Sequence, residues 1–267
     1  MVPDTAMPYA ACPKCRHAPL PADQALPAAC PACGLVLAKY GAVPASRSPL
    51  ARAADGAFAA RVAWITSSLF EVPHKVSKAA WRARAATLAA FTLWTAWIWV
   101  DLDIRGGRAG SVFLHMILLP FHEAGHYAIF RWFGEFIMSL GGTLGQHLMP
   151  TVLAGALLIQ RRDPFGAALF FWLLGFSTID MAVYMYDAFD PKLMLLGGAT
   201  GAESDGHDWQ NIFGDLGLLR RAKGIGLFFG GVGMALMLAA LAWAARLLRL
   251  QRERISDSLS ADFDVRS

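Results

Sequence analysis

Residues 111–133 read SVFLHMILLPFHEAGHYAIFRWF. The run is apolar for most of its length, yet it carries His122-Glu123-Ala124-Gly125-His126 near its middle. Histidines four apart project from the same face of a helix. Two imidazoles so placed suit zinc, which accepts neutral ring nitrogens in tetrahedral geometry. Glu123 follows the first histidine and reaches a metal-bound water without binding the metal, the position of a general base. Ionisable groups inside a membrane span are expensive to bury and are functional by default. Position and pattern together make His122 and His126 metal ligands and Glu123 the catalytic base. Pro120 is expected to kink the helix or start a new one.

The rest of the chain supports a membrane setting. Only 16% of the 267 residues are charged, against about 25% in ordinary globular chains. The apolar content lies in long runs, at 85–100, 111–133, 136–160, 165–186 and 224–245. Trp94, Trp97 and Trp99 form an aromatic belt at the end of the first run, and Arg246, Arg249, Arg252 and Arg254 follow the last. The expected fold is mostly α, a polytopic helical membrane protein with four to six membrane segments and a small N-terminal zinc ribbon. Gly141, Gly142, Gly145 and Pro150 interrupt the third run. A re-entrant segment there would place Arg131, Arg161, Arg162 and the C-terminal arginines on one side, as the positive-inside rule requires; five full crossings are the alternative. The expected division is a cysteine module over 1–45, a basic linker over 46–83 whose 57–72 part is either an interfacial or a solvated helix, a membrane domain over 84–250, and a flexible tail over 251–267.

All four cysteines fall in Cys12-Pro13-Lys14-Cys15 and Cys30-Pro31-Ala32-Cys33. Paired C-x2-C knuckles fourteen residues apart read as a structural zinc site in a reducing compartment. The fragment resembles a zinc ribbon, with metal supplying the folding energy of a module too small for a core. The first forty residues hold no apolar run behind a basic start, so no secretory signal is expected. These readings place the N-terminus in the cytosol and the chain in a bacterial cytoplasmic membrane. Few basic residues lie in the cysteine module, so a protein partner fits it better than nucleic acid, and no nucleic-acid partner is expected.

Two histidines do not complete a catalytic zinc site, which takes a third protein ligand and leaves one position for water. The richest source is Ser204-Asp205-Gly206-His207-Asp208. Asp208 leads, His207 follows and Asp205 is third. Asp180 and Asp187 are weaker candidates that would instead orient a ligand. Gln146 and His147 are expected either to steady an oxyanion or to act behind the ligands. His115, seven residues before His122, reads as structural.

Phe121-His122-Glu123-Ala124-Gly125-His126 inside a membrane span resembles the site-2 protease family of intramembrane zinc metalloproteases. The resemblance implies that His122 and His126 bind zinc, that Glu123 is the base, and that an Asp from a distant segment is the third ligand. The familiar form of that segment has Asn-Pro ahead of an Asp-Gly pair, whereas this chain has Glu203-Ser204-Asp205-Gly206. The implied activity is hydrolysis of peptide bonds in membrane-protein substrates, with one catalytic and one structural zinc. Di-iron hydroxylases also use His-x-x-x-His but need further clusters and adjacent pairs; seven histidines with no His-His pair argue against them. A scaffold or metal-handling protein with a degenerate site is the non-enzymatic alternative.

Overall fold

Ser111 begins the helix that carries the histidines: its Oγ accepts the Leu114 N–H at 3.3 Å, the usual N-cap bond. The computed structural model describes residues 9–22, 24, 28–37, 49–72, 76–196, 198–204 and 206–264. Their elements are α1 (Pro49–Leu69), α2 (Lys78–Asp101), α3 (Val112–Ala124), α4 (Glu135–Ile159), α5 (Pro164–Asp187), α6 (Asp208–Asp215) and α7 (Ala222–Asp264). Among the described residues there is no strand, only isolated bridges at Ala29–Val36, Asp103–Arg108 and Met194–Thr200. The chain divides into two compact units, Met1–Trp64 and Ile65–Ser267. The boundary falls inside α1, well past the end of the cysteine module.

Among the described residues three helices are long and apolar enough to cross a membrane: Glu135–Ile159, Pro164–Asp187 and Leu219–Ile255. The runs at 85–100 and 111–133 are helical but fall short of that test. α3 is only 13 residues long and passes into a π-helical turn over Gly125–Phe130, then a 3-10 turn over Arg131–Phe133.

The break expected in the third run is absent. α4 is one helix of 25 residues, with Gly141, Gly142, Gly145 and Pro150 all inside it. A helix of that length spans about 37 Å, so Arg131 and Arg161 lie at opposite ends of α4 rather than on one side. The glycines serve close packing instead. A Cβ on Gly145 would come 2.9 Å from the Gly125 Cα, and one on Gly141 would sit 3.0 Å from the Gly125 oxygen. Likewise α7 does not stop at residue 250 but continues to Asp264, and Gln251 is buried.

α5 is the central post. Trp172, Phe176 and Ile179 are fully buried, against Ile98 of α2, Leu118 of α3 and Met237 of α7. The Trp172 indole N–H donates to Thr95 Oγ1 at 2.8 Å, so the one polar atom of this buried ring is satisfied. Small residues let α5 and α7 touch: a Cβ on Gly175 would lie 2.8 Å from the Met237 nitrogen and 2.9 Å from the Gly233 oxygen. Membrane helices pack closely in this way where water supplies no drive.

The unit is tied at one end by side chains that reach main-chain oxygens. Trp81 Nε1 donates to Leu248 O at 3.0 Å, Trp243 Nε1 to Leu69 O at 2.8 Å, and Arg254 to Val72 O. Arg84 pairs with Asp163 at 3.5 Å, and Arg162 with Glu71 at 3.3 Å. The start of α2, the α4–α5 turn and the later part of α7 therefore meet at one end, and the chain enters and leaves the helical unit there.

Gly175→Val should drive α5 and α7 apart. Overpacking costs about 1–3 kcal/mol, and about 1 kcal/mol moves the melting point of a unit this size by roughly 2–4 °C. The expected outcome in detergent is an apparent Tm lower by roughly 5 °C, with no decrease for Gly231→Ala, where an added Cβ meets nothing within 4 Å.

Candidate metal centres

α3, its π-helical turn and α6 bring three donor atoms together. His122 Nε2 and His126 Nε2 are 3.0 Å apart, and Asp208 Oδ2 lies 3.2 Å from each. Donors about 2.0–2.1 Å from a zinc ion stand about 3.3 Å apart at the corners of a tetrahedron. The spacing fits such an ion, and these residues could hold one.

The supporting contacts fix which ring nitrogens are free. His126 Nδ1 is 2.7 Å from the Met138 carbonyl oxygen, so it is protonated and donates. His122 Nδ1 is 3.2 Å from Gln146 Oε1 and also donates. Both Nε2 lone pairs are thereby left to converge on one point. Gln146 is itself oriented, because its Nε2 donates to Ser177 O at 3.2 Å and to Asp180 Oδ2 at 3.1 Å. His115 Nδ1 completes the chain at 2.9 Å from Asp180 Oδ1. Thus Gln146 and Asp180 act behind His122. His147 turns to α5, with Nδ1 2.9 Å from Thr143 O and Nε2 3.3 Å from Thr178 Oγ1.

α6 sets the carboxylate. His207 is its N-cap, with Nδ1 accepting the Gln210 N–H at 3.1 Å, which leaves Asp208 as the first helical residue. The His207 ring is fully buried and faces Tyr184 at 4.1 Å. Its Nε2 is 3.3 Å from Asp187 Oδ2 but lacks the alignment of a hydrogen bond. His207 therefore stands behind Asp208 and away from the histidine pair. Asp187 also accepts the Lys192 and Leu193 N–H groups at 2.9 and 3.0 Å, fixing the loop that leads to α6. Asp205 lies outside the described residues.

His122, Glu123, His126 and Asp208 line a cavity of about 720 Å³. Among the described residues the Glu123 carboxylate has no hydrogen-bond partner. Tyr184 lines the same cavity, and Leu193, Met194, Leu195 and Leu196 give it an apolar wall. Leu193 presses on Gly107, where a Cβ would meet its Cδ2 at 2.6 Å.

Three roles were not read from the sequence: those of Tyr184, of the α4 glycines as a close-packing surface, and of the Met138 carbonyl. Tyr184 is four residues after Asp180 on the same helical face, a spacing that could have suggested it. Gly142 abuts both histidine Nε2 atoms, and Gly141 and Gly145 are the small pair at i, i+4 that marks close helix packing. The Met138 carbonyl carries no side-chain signal.

In the N-terminal unit the four cysteines also converge. Cys12 Sγ and Cys33 Sγ are 3.7 Å apart, as are Cys15 Sγ and Cys30 Sγ. Thiolates about 2.3 Å from zinc stand about 3.8 Å apart in a tetrahedron, so this group too could hold a metal ion. The knuckles repeat one geometry. The Arg16 and Gly34 N–H groups donate to Cys12 O and Cys30 O, both at 2.8 Å, and both residues have positive φ, 61° and 69°. Burial opposes ionisation of Cys12, but the N–H groups of Cys15 and Lys14 and the thiols of Cys15 and Cys30 outweigh it and lower that thiol to about 6. The His17 N–H lowers Cys15, while desolvation and the thiols of Cys33, Cys12 and Cys30 raise it to about 12.

Compared with family models, curated proteins and solved structures, the chain matches none.

Gly142→Ala should fill the space between the two Nε2 atoms and empty the His/Asp site. The expected metal content of purified protein falls by the share held there, while Gly155→Ala, where an added Cβ meets nothing within 4 Å, leaves it unchanged. At Arg16 the left-handed backbone costs a non-glycine residue about 1 kcal/mol. Arg16→Gly is therefore expected to improve metal retention by the cysteines against a chelator roughly fivefold.

Proposed function

We propose that this chain is an intramembrane zinc hydrolase that cleaves peptide bonds of membrane-protein substrates, similar to the site-2 proteases. The observation that carries the proposal is the convergence of His122 Nε2, His126 Nε2 and Asp208 Oδ2 at 3.0–3.2 Å, with Glu123 in the same cavity. The donor set of two imidazoles and one carboxylate, with room beside it, suits a catalytic zinc with an open position. An ion held there supplies Lewis acidity, making water easier to deprotonate and a carbonyl easier to attack.

The protein's own groups do the rest. Glu123 takes a proton from the attacking water, the new C–O bond forms, and Glu123 returns the proton to the departing nitrogen as the C–N bond breaks. A carboxylic acid and an amine result, and transfer of the acid's proton to the amine lets them leave as carboxylate and ammonium. Gln146 and the Met138 carbonyl hold both imidazoles in the tautomer that faces the site. The apolar wall at 193–196 suits a hydrophobic segment unwound from a helix, since a backbone carbonyl must be exposed before it can be attacked.

The cytoplasmic membrane is the proposed location, with the basic end of the helical unit on the cytosolic side. Arg82, Arg84, Arg161, Arg162, Arg246, Arg249, Arg252 and Arg254 cluster there, as the positive-inside rule favours. Four free thiols point to the same reducing compartment. The N-terminal cysteine group is then a zinc ribbon, held together by a structural zinc and offered to a protein partner.

The test is cleavage of single-span substrates in liposomes by wild type and Glu123→Gln at matched zinc content. Removing the base is expected to lower the rate about 10²–10⁴-fold while zinc is retained. Zinc found only on the cysteines, with no cleavage that depends on Glu123, would favour a scaffold.

A further inference from the structure

Among the described residues Tyr184 is the phenol of the cavity wall that also touches the third ligand's residue. Its Oη accepts the Asp208 N–H at 3.2 Å, and its ring centroid lies 6.3 Å from that of His122. The ring is wedged against His207 at 4.1 Å, so the hydroxyl is held in place from two sides. A phenol oxygen that accepts a bond still has its own proton to give. Among the described residues no acceptor takes it. Asp208 is the residue whose Oδ2 meets both imidazoles, so the hydroxyl sits in the layer next to the proposed reaction centre. The polar groups behind His122 are committed elsewhere: Gln146 to His122, Ser177 and Asp180, and His115 to Asp180.

We infer that Tyr184 is a catalytic hydrogen-bond donor, its O–H directed at the substrate carbonyl oxygen as that oxygen gains negative charge during hydrolysis. The inference rests on the hydrolase reading. No proton changes owner at Tyr184; the phenol stays protonated, and the water proton still passes through Glu123 to the leaving nitrogen. A donor aimed at developing charge from a rigid support needs no reorganisation as the charge appears, which is why such groups act on kcat. Rigidity here comes from the Asp208 N–H and the His207 ring, so one residue would link ligand placement to charge stabilisation.

Tyr184→Phe removes the hydroxyl and keeps the ring. Wild type, Tyr184→Phe and Glu123→Gln should be compared in liposomes with the same single-span substrates, each with zinc content measured. Binding of an N-acetyl Leu–Leu phosphinic pseudopeptide, whose tetrahedral oxygens imitate the charged addition state, is measured by calorimetry. The expected result is unchanged zinc, KM within about twofold, and kcat lower by roughly 10²-fold, with phosphinate affinity weakened and not recovered by raising zinc. Unchanged kcat and phosphinate affinity in Tyr184→Phe, with wild type active, would overturn the inference and leave the hydrolase reading standing. Activity lost together with zinc would also overturn it, making Tyr184 a positioning residue for Asp208. Absence of any Glu123-dependent cleavage by wild type would remove both.

Discussion

The His/Asp centre depends on how closely α3 and α4 approach each other. Gly125 on one side and Gly141, Gly142 and Gly145 on the other leave no room for a Cβ at the crossing. Only at that separation can the Met138 carbonyl reach His126 and Gln146 reach His122. A looser crossing would leave both Nδ1–H groups without acceptors in an apolar setting, at a cost of about 1–3 kcal/mol each. The small residues thus determine the protonation pattern of the ligands as well as the packing of the helices.

Polar groups inside the bundle support the site in two series of contacts. His115, Asp180, Gln146 and His122 pass hydrogen bonds from α3 to α5 to α4 and back to α3. A second series, from Asp187 through His207 and Tyr184, supports Asp208 from the opposite side. α5 contributes Asp180, Tyr184 and Asp187, so the most deeply buried helix holds the supports of both. Connected networks restrict one another's side chains, which lowers the chance that any single ligand drifts.

Much of the helical outline was legible from composition and hydrophobic runs, because a membrane-length apolar stretch leaves little choice of backbone. The two groups that could hold metal were also legible, since His-x-x-x-His and paired C-x2-C spacings are local. Asp208 led the candidates for third ligand but could not be separated from His207, because the choice between them turns on which residue caps α6, a matter of tertiary context. Reading the glycines of α4 as a break went the wrong way for a related reason. Glycine weakens an isolated helix, but where another helix presses against it the tighter packing outweighs the lost propensity. The continuation of α7 beyond residue 250 was hidden by its polar sequence, although the buried Gln251 and the bonds of Trp81 and Arg254 continue the packing of that end.

One of the two histidine supports is main chain. The oxygen that fixes His126 belongs to Met138, and every amino acid supplies the same oxygen. Substitution at 138 can alter the fit of a side chain, yet it cannot delete this acceptor. Position 138 could therefore look permissive in a survey of variants while contributing as directly as Gln146, whose amide is lost in a single codon change. Tolerance to mutation at such a place measures how the part is encoded, and says little about how much it does.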